Sequence, residues 1–308
     1  MVSLNHEGHA APYWSRNMKS LGFYDIRVSY HATILESVLG PRPNSGALSN
    51  ADSSNKGSKE LARRVALKLC AETSRSLCKH PPSEQTVGNV FASLTKDFLD
   101  KAFQHLHHLR PGKWLFSTSQ DSGGIANFYQ YEHLARLEEV LQKNPDLRST
   151  LGGDYFITPD ITIARTPVKD SDVNKKSSFL TGPTPVARYA PLRESVNKTP
   201  LLHASVSCKW TIRSDRAQNT RTEALNLIRN RKGKVPIVVA VTFEPLPTRI
   251  ASIALGTGDL DCTYHAALHE LQEAVEEAGN EDQKDMLTTL VDGRRLRDIS
   301  DLPFDLAI

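Results

Sequence analysis

Cysteine is scarce in this sequence, and no two cysteines form a CxxC motif. The four thiols are Cys70, Cys78, Cys208 and Cys262. They are too few to build a disulfide scaffold in a chain of 308 residues. Their spacing also argues against a zinc ribbon. The cysteine content therefore favours reduced thiols and a cytoplasmic protein.

Long apolar runs are also missing. The densest run, residues 237–241, is far shorter than the roughly 20 apolar residues that cross a bilayer. The first residues, MVSLNHEGHAAPYWSRN, contain no apolar core of the kind that a secretory signal needs. We therefore expect neither a membrane span nor export.

Positive charge is present but confined to one region. The whole chain carries a net charge of +3. Residues 209–234 contain eight Lys or Arg and two Asp or Glu, a local charge of +6, so the rest of the chain sums to −3. A basic cluster on a nearly neutral protein indicates a specific anionic partner rather than a solubilising coat.

The clearest strand signal is the alternation that precedes this cluster. One face collects the apolar positions, which are Leu202, Ala204, Val206, Cys208, Trp210 and Ile212. Period two with β-branched and aromatic members predicts a strand whose Lys209 points away from the core. A helix is predicted over residues 217–229, where Ala224, Leu225 and Ile228 form one stripe.

The remaining pattern predicts an α/β fold with a mixed central sheet flanked by helices. Strands are predicted over 114–117, 155–165, 236–243 and 250–255, and helices over 58–76 (capped by Ser58), 86–109, 125–142, 263–278 and 281–291. Residues 41–58 and 166–199 are predicted as loops. We expect one domain over residues 1–308, in which 1–57 form an arm and 58–308 a core.

Three groups of residues could carry phosphodiester chemistry: Pro159-Asp160, Ser207-Cys208-Lys209, and Glu223 on the following helix. Magnesium prefers one or two carboxylates with phosphate and water oxygens, and a lysine can hold the attacking water or the phosphate. If the two strands are neighbours, Asp160 and Lys209 can meet one phosphate. Spacing alone favours a plainer interpretation, an exposed strand lysine and a surface glutamate.

The segment RSDR suits a reader of the major groove. Arg213 and Arg216 can each bond the O6 and N7 atoms of guanine, and Asp215 can accept from a cytosine amino group. Such a set fits GG opposite CC. The alternative is an ordinary Arg–Asp ion pair in a surface turn, which is worth little.

Taken together, these motifs resemble the PD-(D/E)xK nucleases, and within them the NgoMIV-type restriction endonucleases. Ser207 stands where most PD-(D/E)xK nucleases have a second acidic residue, and the NgoMIV-type enzymes share this PD…SCK…E arrangement. The resemblance runs from about residue 49 to the C-terminus. It is carried by SNADSSN, LRPGKW, ITPDI, LLHASVSCKWTIRSDRAQN, LNLIRNRKGK, SIALGTG and RDISDLP.

The resemblance implies a restriction-endonuclease-like fold and Mg²⁺-dependent hydrolysis of double-stranded DNA. Asp160 and the backbone carbonyl of Cys208 would hold the metal ion, Lys209 would be the catalytic lysine, and Ser207 and Glu223 would support the site. One position departs from the family. A glutamate on the helix equivalent to residues 86–109 is replaced here by Ala92, and Asp97 would be a poor substitute.

The same resemblance implies a recognition sequence. Arg213, Asp215 and Arg216 would read the central CCGG. Asp52 and Arg249, with Ser54 and Gln85 as weaker candidates, would read an outer G·C pair, so that the target is GCCGGC and residues 41–58 order on DNA.

The family further implies cutting after the first G with 5′-phosphate ends, a tetramer, and a cognate DNA methyltransferase in the prokaryotic host. A palindromic target by itself requires at least a dimer. Two alternatives stay open, a sequence-specific DNA-binding protein without cleavage activity and a structure-selective nuclease.

Overall fold

A computed structural model describes residues 22–151, 157–212, 214–256 and 258–308. Its strands are Trp114–Thr118 (β1), Ile161–Arg165 (β2), Leu201–Lys209 (β3), Ile237–Thr242 (β4), Cys262–His265 (β5) and Leu296–Asp298 (β6). They form one sheet in which the spatial order follows the chain order. The first three strands pair antiparallel and the last four pair parallel, so β3 belongs to both halves. The predicted α/β class with a mixed sheet is confirmed.

Helices pack on both sides of this sheet. Before β3 they are Phe23–Ser37 (α1), Lys56–Thr73 (α2), Glu84–His105 (α3), Ser119–Ser122 (α4), Glu132–Lys143 (α5), Pro145–Leu151 (α6) and Asp170–Val173 (α7). After β3 they are Ser214–Asn230 (α8), Pro247–Ala254 (α9), Leu268–Ala278 (α10), Glu281–Asp292 (α11) and Leu302–Leu306 (α12). Among the described residues, no helix is both long and apolar enough to cross a membrane.

Strand β3 runs through the middle of the sheet and ends at the predicted lysine. Leu202, Ala204 and Val206 are at most 3% exposed, as their alternation predicts. Ser205 on the other face is also buried, because the helices cover both faces of a sheet that is parallel on one side. The strand ends at Lys209, opposite Thr242 at the end of β4, and not at residue 212 as predicted.

Several predicted elements differ from the observed ones. Residues 250–255 are predicted as a strand, but most of them belong to helix α9. Pro247 takes the first helical position, where its fixed φ suits a helix, and the short apolar run that follows fits either structure. The helix predicted from residue 263 begins only at Leu268, after β5. The helix predicted from 125 begins at Glu132, after two short 3₁₀ turns.

The residues before position 57 contribute a helix as well as a loop. Helix α1 buries Ile26, Tyr30 and Ile34 in the same hydrophobic core as the sheet. Asn50, in the segment expected to order on DNA, is 2% exposed, and its side chain donates to the Phe243 carbonyl. Helix α2 is capped by the side chain of Asn55, which accepts from the Ser58 amide, so the predicted cap at Ser58 is wrong.

Candidate active site

The Pro-Asp and Ser-Cys-Lys segments meet where β2 and β3 pair. Ile161 lies opposite Val206, which places Asp160 just beyond the last pair and beside the end of β3. The Asp160 Oδ2 atom accepts a hydrogen bond of 2.7 Å from the Cys208 amide. The same oxygen lies 3.5 Å from both Ser207 Oγ and Lys209 Nζ. The structure thus brings together two segments that are almost fifty residues apart.

The catalytic lysine candidate is held firmly at its backbone. The Lys209 carbonyl accepts from Thr242 Oγ1 at 2.8 Å and from the Phe243 amide at 3.2 Å. Its side chain is 19% exposed, and that of Asp160 is 34% exposed. Partial shielding from water strengthens the attraction between their opposite charges.

Glu223, on α8, shares the surroundings of this pair. Burial raises the pKa of its carboxyl group, the Asp160 charge raises it further, and the Lys209 charge lowers it. A third charged group therefore lies within electrostatic reach of Asp160 and Lys209, on the helix that follows the strand, as the sequence predicts.

The site offers oxygen ligands and no thiolate. Burial raises the pKa of the Cys208 thiol, which therefore stays protonated in the core. The amide and carbonyl of one strand residue point to the same side, so the Cys208 carbonyl faces the same edge as its amide, towards Asp160. A carboxylate and a carbonyl, with Glu223 nearby, match the oxygen preference of Mg²⁺, which binds through one or two carboxylates and keeps several waters.

A second acidic group among the described residues has a different character. His31, Glu72 and Glu270 are close enough to share an ion. However, Glu270 bonds Arg27 through both oxygens at 2.8 Å, and His31 Nδ1 lies 2.7 Å from Glu72. These contacts make the group a buried ion-pair network, remote in sequence from Asp160 and Lys209.

The two outer-pair candidates contact each other directly. Arg249, in the first turn of α9, forms an ion pair with Asp52. Ser54 donates to Asp52 Oδ1 from its amide at 2.9 Å and from its hydroxyl at 2.6 Å. Hydrogen bonds from Ser54 and then Arg249 hold the pKa of Asp52 well below its usual range. Asp52 is therefore ionised and oriented before DNA binds.

Two adjoining depressions lie beside this pair and Lys209. One is lined by Arg42, Gln85, Lys209 and Thr211. The other shares Arg42 and Thr211 and reaches Asp52 and Arg249. Arg42 is not among the residues predicted from the sequence, because one arginine in a polar loop carries no distinguishing signal.

The central readers are described only in part. Arg213 lies outside the described residues. Asp215 and Arg216 fall in the first turn of α8, but their side chains are outside the described part. Helix α8 thus begins three residues earlier than predicted.

Neither predicted neighbour on α3 supplies an acidic group to the site. Ala92 is 4% exposed and lies in the hydrophobic core. Asp97 is exposed, where it pairs with Lys96 at 2.8 Å. The departure from the family at Ala92 is therefore not compensated by Asp97.

Aromatic rings support the end of β3. Trp210, which follows Lys209, stacks on Phe243 with 5.0 Å between ring centroids and 9° between the planes. Phe91 meets it edge-on at 5.2 Å, and His265 stacks on the far side of Phe243 at 5.7 Å. The rings therefore form a packed aromatic cluster beside Lys209.

A mixed sheet in which an aspartate and a lysine converge at the junction of its antiparallel and parallel halves defines a nuclease of the restriction-endonuclease class. More closely, the chain belongs to the NgoMIV restriction enzyme family, whose model matches residues 30–308. It is similar to the type II restriction enzyme NgoMIV of Neisseria gonorrhoeae, with 46% identity over 288 residues, 93% of this chain and 99% of that enzyme. The chain is a site-specific deoxyribonuclease that acts on double-stranded DNA.

Proposed function

We propose that this enzyme recognises GCCGGC, cuts each strand after the first G with Mg²⁺, and leaves 5′-phosphate ends. The observation that carries the proposal is the convergence of Asp160, the Cys208 backbone and Lys209 within 2.7–3.5 Å. The ion-paired side chains of Asp52 and Arg249 line an adjoining depression, which supports their proposed role as readers of the outer pair.

Each residue around the end of β3, including Asp160 before β2 and Glu223 on α8, would have a distinct role in cleavage. When bound, Mg²⁺ neutralises developing negative charge and lowers the pKa of water. Asp160 and the Cys208 carbonyl would hold the ion, with Glu223 in support. Lys209 would orient the attacking water and the scissile phosphate. The Ser207 hydroxyl, 3.5 Å from Asp160, would help to fix that carboxylate.

Specificity would come from two groups of readers. Arg213, Asp215 and Arg216 would read CCGG from the first turn of α8 and the residue before it. Arg249 would bond guanine of the outer pair while Asp52 accepts from its cytosine. Ser54 holds Asp52 in place, and Gln85 lies exposed in the depression beside Lys209.

Symmetry and host biology extend the proposal. A palindromic target requires at least a dimer, and we propose a tetramer that acts on two sites. A cognate DNA methyltransferase would protect the same sequence in the host.

End-mapping of digested DNA tests the proposal in one experiment. A plasmid with several GCCGGC sites is incubated with the enzyme and Mg²⁺, and the termini are sequenced. Cuts after the first G with 5′-phosphates support it. Termini at another sequence would refute the specificity, and an uncut plasmid bound in the presence of EDTA would favour DNA binding without cleavage.

A further inference from the structure

Three segments of the proposed site meet at the end of β4: the end of β3, the loop that contains Asp52, and the start of α9. We call residues 242–246 the β4 corner. Thr242 Oγ1 donates to the Lys209 carbonyl and accepts from the Glu244 amide at 3.1 Å. The side chain of Asn50, two residues before Asp52, donates to the Phe243 carbonyl at 3.2 Å.

Glu244 is the charged member of this corner, and its side chain is deeply buried. The residue is 1% exposed. One carboxylate oxygen accepts from the Ile212 amide at 2.9 Å, and the other accepts from the Leu246 amide at 3.2 Å. A single side chain therefore links two loops through backbone groups.

Both loops lead directly to base-reading candidates. Ile212 immediately precedes Arg213, at the start of the segment proposed to read CCGG. Leu246 is the N-cap of α9, and Arg249 lies in the first turn of that helix. One carboxylate therefore ties the backbone at Ile212 to the backbone at Leu246, and Thr242 ties the same corner to the Lys209 carbonyl.

Burying a carboxylate is unfavourable, so an apolar side chain would be the simpler filling for this corner. Two backbone amides at fixed positions give the carboxylate its function, because each oxygen satisfies one of them. Burial raises the pKa of Glu244 to about 7, in opposition to these two hydrogen bonds and the Arg249 charge. The group therefore titrates near neutral pH.

We propose that Glu244 is a positioning residue that couples recognition of the outer G·C pair to recognition of the central CCGG and to the catalytic lysine. It contacts no DNA itself. It holds the loop before Arg213 and the helix that carries Arg249 in a fixed relative position. A wrong base at the outer pair or in the central CCGG would therefore misplace Lys209. This inference rests on the function proposed above.

The proton on Glu244 should tune this coupling. Above pH 7 both oxygens accept, whereas the protonated carboxyl group loses one of its two hydrogen bonds. The other groups that face it do not titrate with it between pH 6 and 8. Burial lowers the pKa of His265, whose Nε2 donates to the Glu244 carbonyl, to about 4, so this ring stays neutral. Hydrogen bonds from Ser54 and from its ion-pair partner Arg249 hold the pKa of Asp52 well below its usual range, so this carboxylate stays ionised.

The test measures discrimination at the outer pair. Single-turnover cleavage rates are compared on the sequence found by end-mapping and on the same sequence with its outer pair changed to A·T. In Glu244→Gln the side chain has one accepting oxygen and one NH2 group in place of two oxygens, so it can keep only one of the two hydrogen bonds. The ratio of rates should fall about tenfold or more, since one good base contact carries roughly 5- to 160-fold discrimination.

Glu270→Gln is the matched control, a buried glutamate whose partner is Arg27. It should lower the melting temperature and leave the ratio unchanged. A purely structural role for Glu244 would slow cleavage of both sequences alike. A ratio in folded Glu244→Gln within twofold of wild type would overturn the proposal.

The wild-type enzyme provides a second arm that needs no variant. Its discrimination should fall at least threefold from pH 8 to pH 6, and a constant ratio would count against the proposal even if the variant does not fold. Because the ratio uses the mapped sequence, a target other than GCCGGC would refute the proposed specificity and still test Glu244.

Discussion

Replacing Arg27 by methionine should destabilise the whole enzyme, although the residue lies in the segment that the sequence analysis treats as an arm. The Arg27 side chain is 8% exposed, and its partners Glu270 and Asp298 are 12% and 2% exposed. Four hydrogen bonds of 2.8–3.0 Å join the guanidinium to these two carboxylates. Removing one partner of a buried ion pair costs about 3–5 kcal/mol, because it leaves charge buried without compensation.

Two further results should accompany the loss of stability. In Arg27→Met/Glu270→Gln the destabilisation should be smaller than the sum of the two single changes, because the double variant leaves one unpaired carboxylate instead of two. The pKa of Asp298 is lowered, chiefly by its bond to Arg27 against the effect of burial. Its stabilising contribution is therefore present above its unfolded pKa and lost as the pH falls, and Arg27→Met should weaken this acid dependence.

Urea unfolding followed by tryptophan fluorescence measures these free energies. Arg64→Met is the control, because Arg64 pairs with Glu60 and Glu277 at the surface, where water and salt screen such pairs and they contribute little to stability. A change below about 1 kcal/mol in Arg27→Met would refute the reasoning. Reduced DNA affinity with unchanged unfolding would instead support a separate arm before residue 57.

Three further predictions concern the site. Lys209→Met should slow single-turnover cleavage at least about 100-fold, while DNA affinity in Ca²⁺ changes little. The control Lys198→Met changes an exposed lysine and should behave as wild type. Rapid cutting by Lys209→Met would refute the catalytic role. Removal of divalent metal with EDTA should stop cleavage, and excess Mg²⁺ should restore it; activity that persists in EDTA would contradict a metal-dependent mechanism. Asp52→Asn should reduce discrimination at the outer G·C pair by about tenfold, with little effect at the central pairs; an equal loss at every position would point to general misfolding.

Much of the fold follows from period and composition. The alternation before Lys209 predicts β3, and the three- to four-residue repeat of Val90, Leu94 and Phe98 predicts α3. Short segments were harder to predict. Residues 250–255 have an apolar run that suits a buried strand, and only the neighbouring sheet and the proline at 247 make it a helix. Strand β6 has three residues, too few to show any period.

The sequence likewise predicts only part of the candidate site. A motif suggests that Asp160 and Lys209 act together, but the pairing of β2 with β3 is a tertiary fact that spacing does not contain. Glu244 carries no sequence signal, because its importance lies in two backbone amides that are 32 and two residues away. The ion pair between Asp52 and Arg249 likewise joins residues that are 197 positions apart.

The stacked position of Trp210 makes its fluorescence a reporter on the end of β3. The indole adjoins Lys209 and packs against Phe91 and Phe243, so its emission depends on how those rings are arranged. If bound DNA changes the surroundings of these rings, the wavelength and intensity of that emission should change. The approach of substrate can then be followed in real time without attaching a dye.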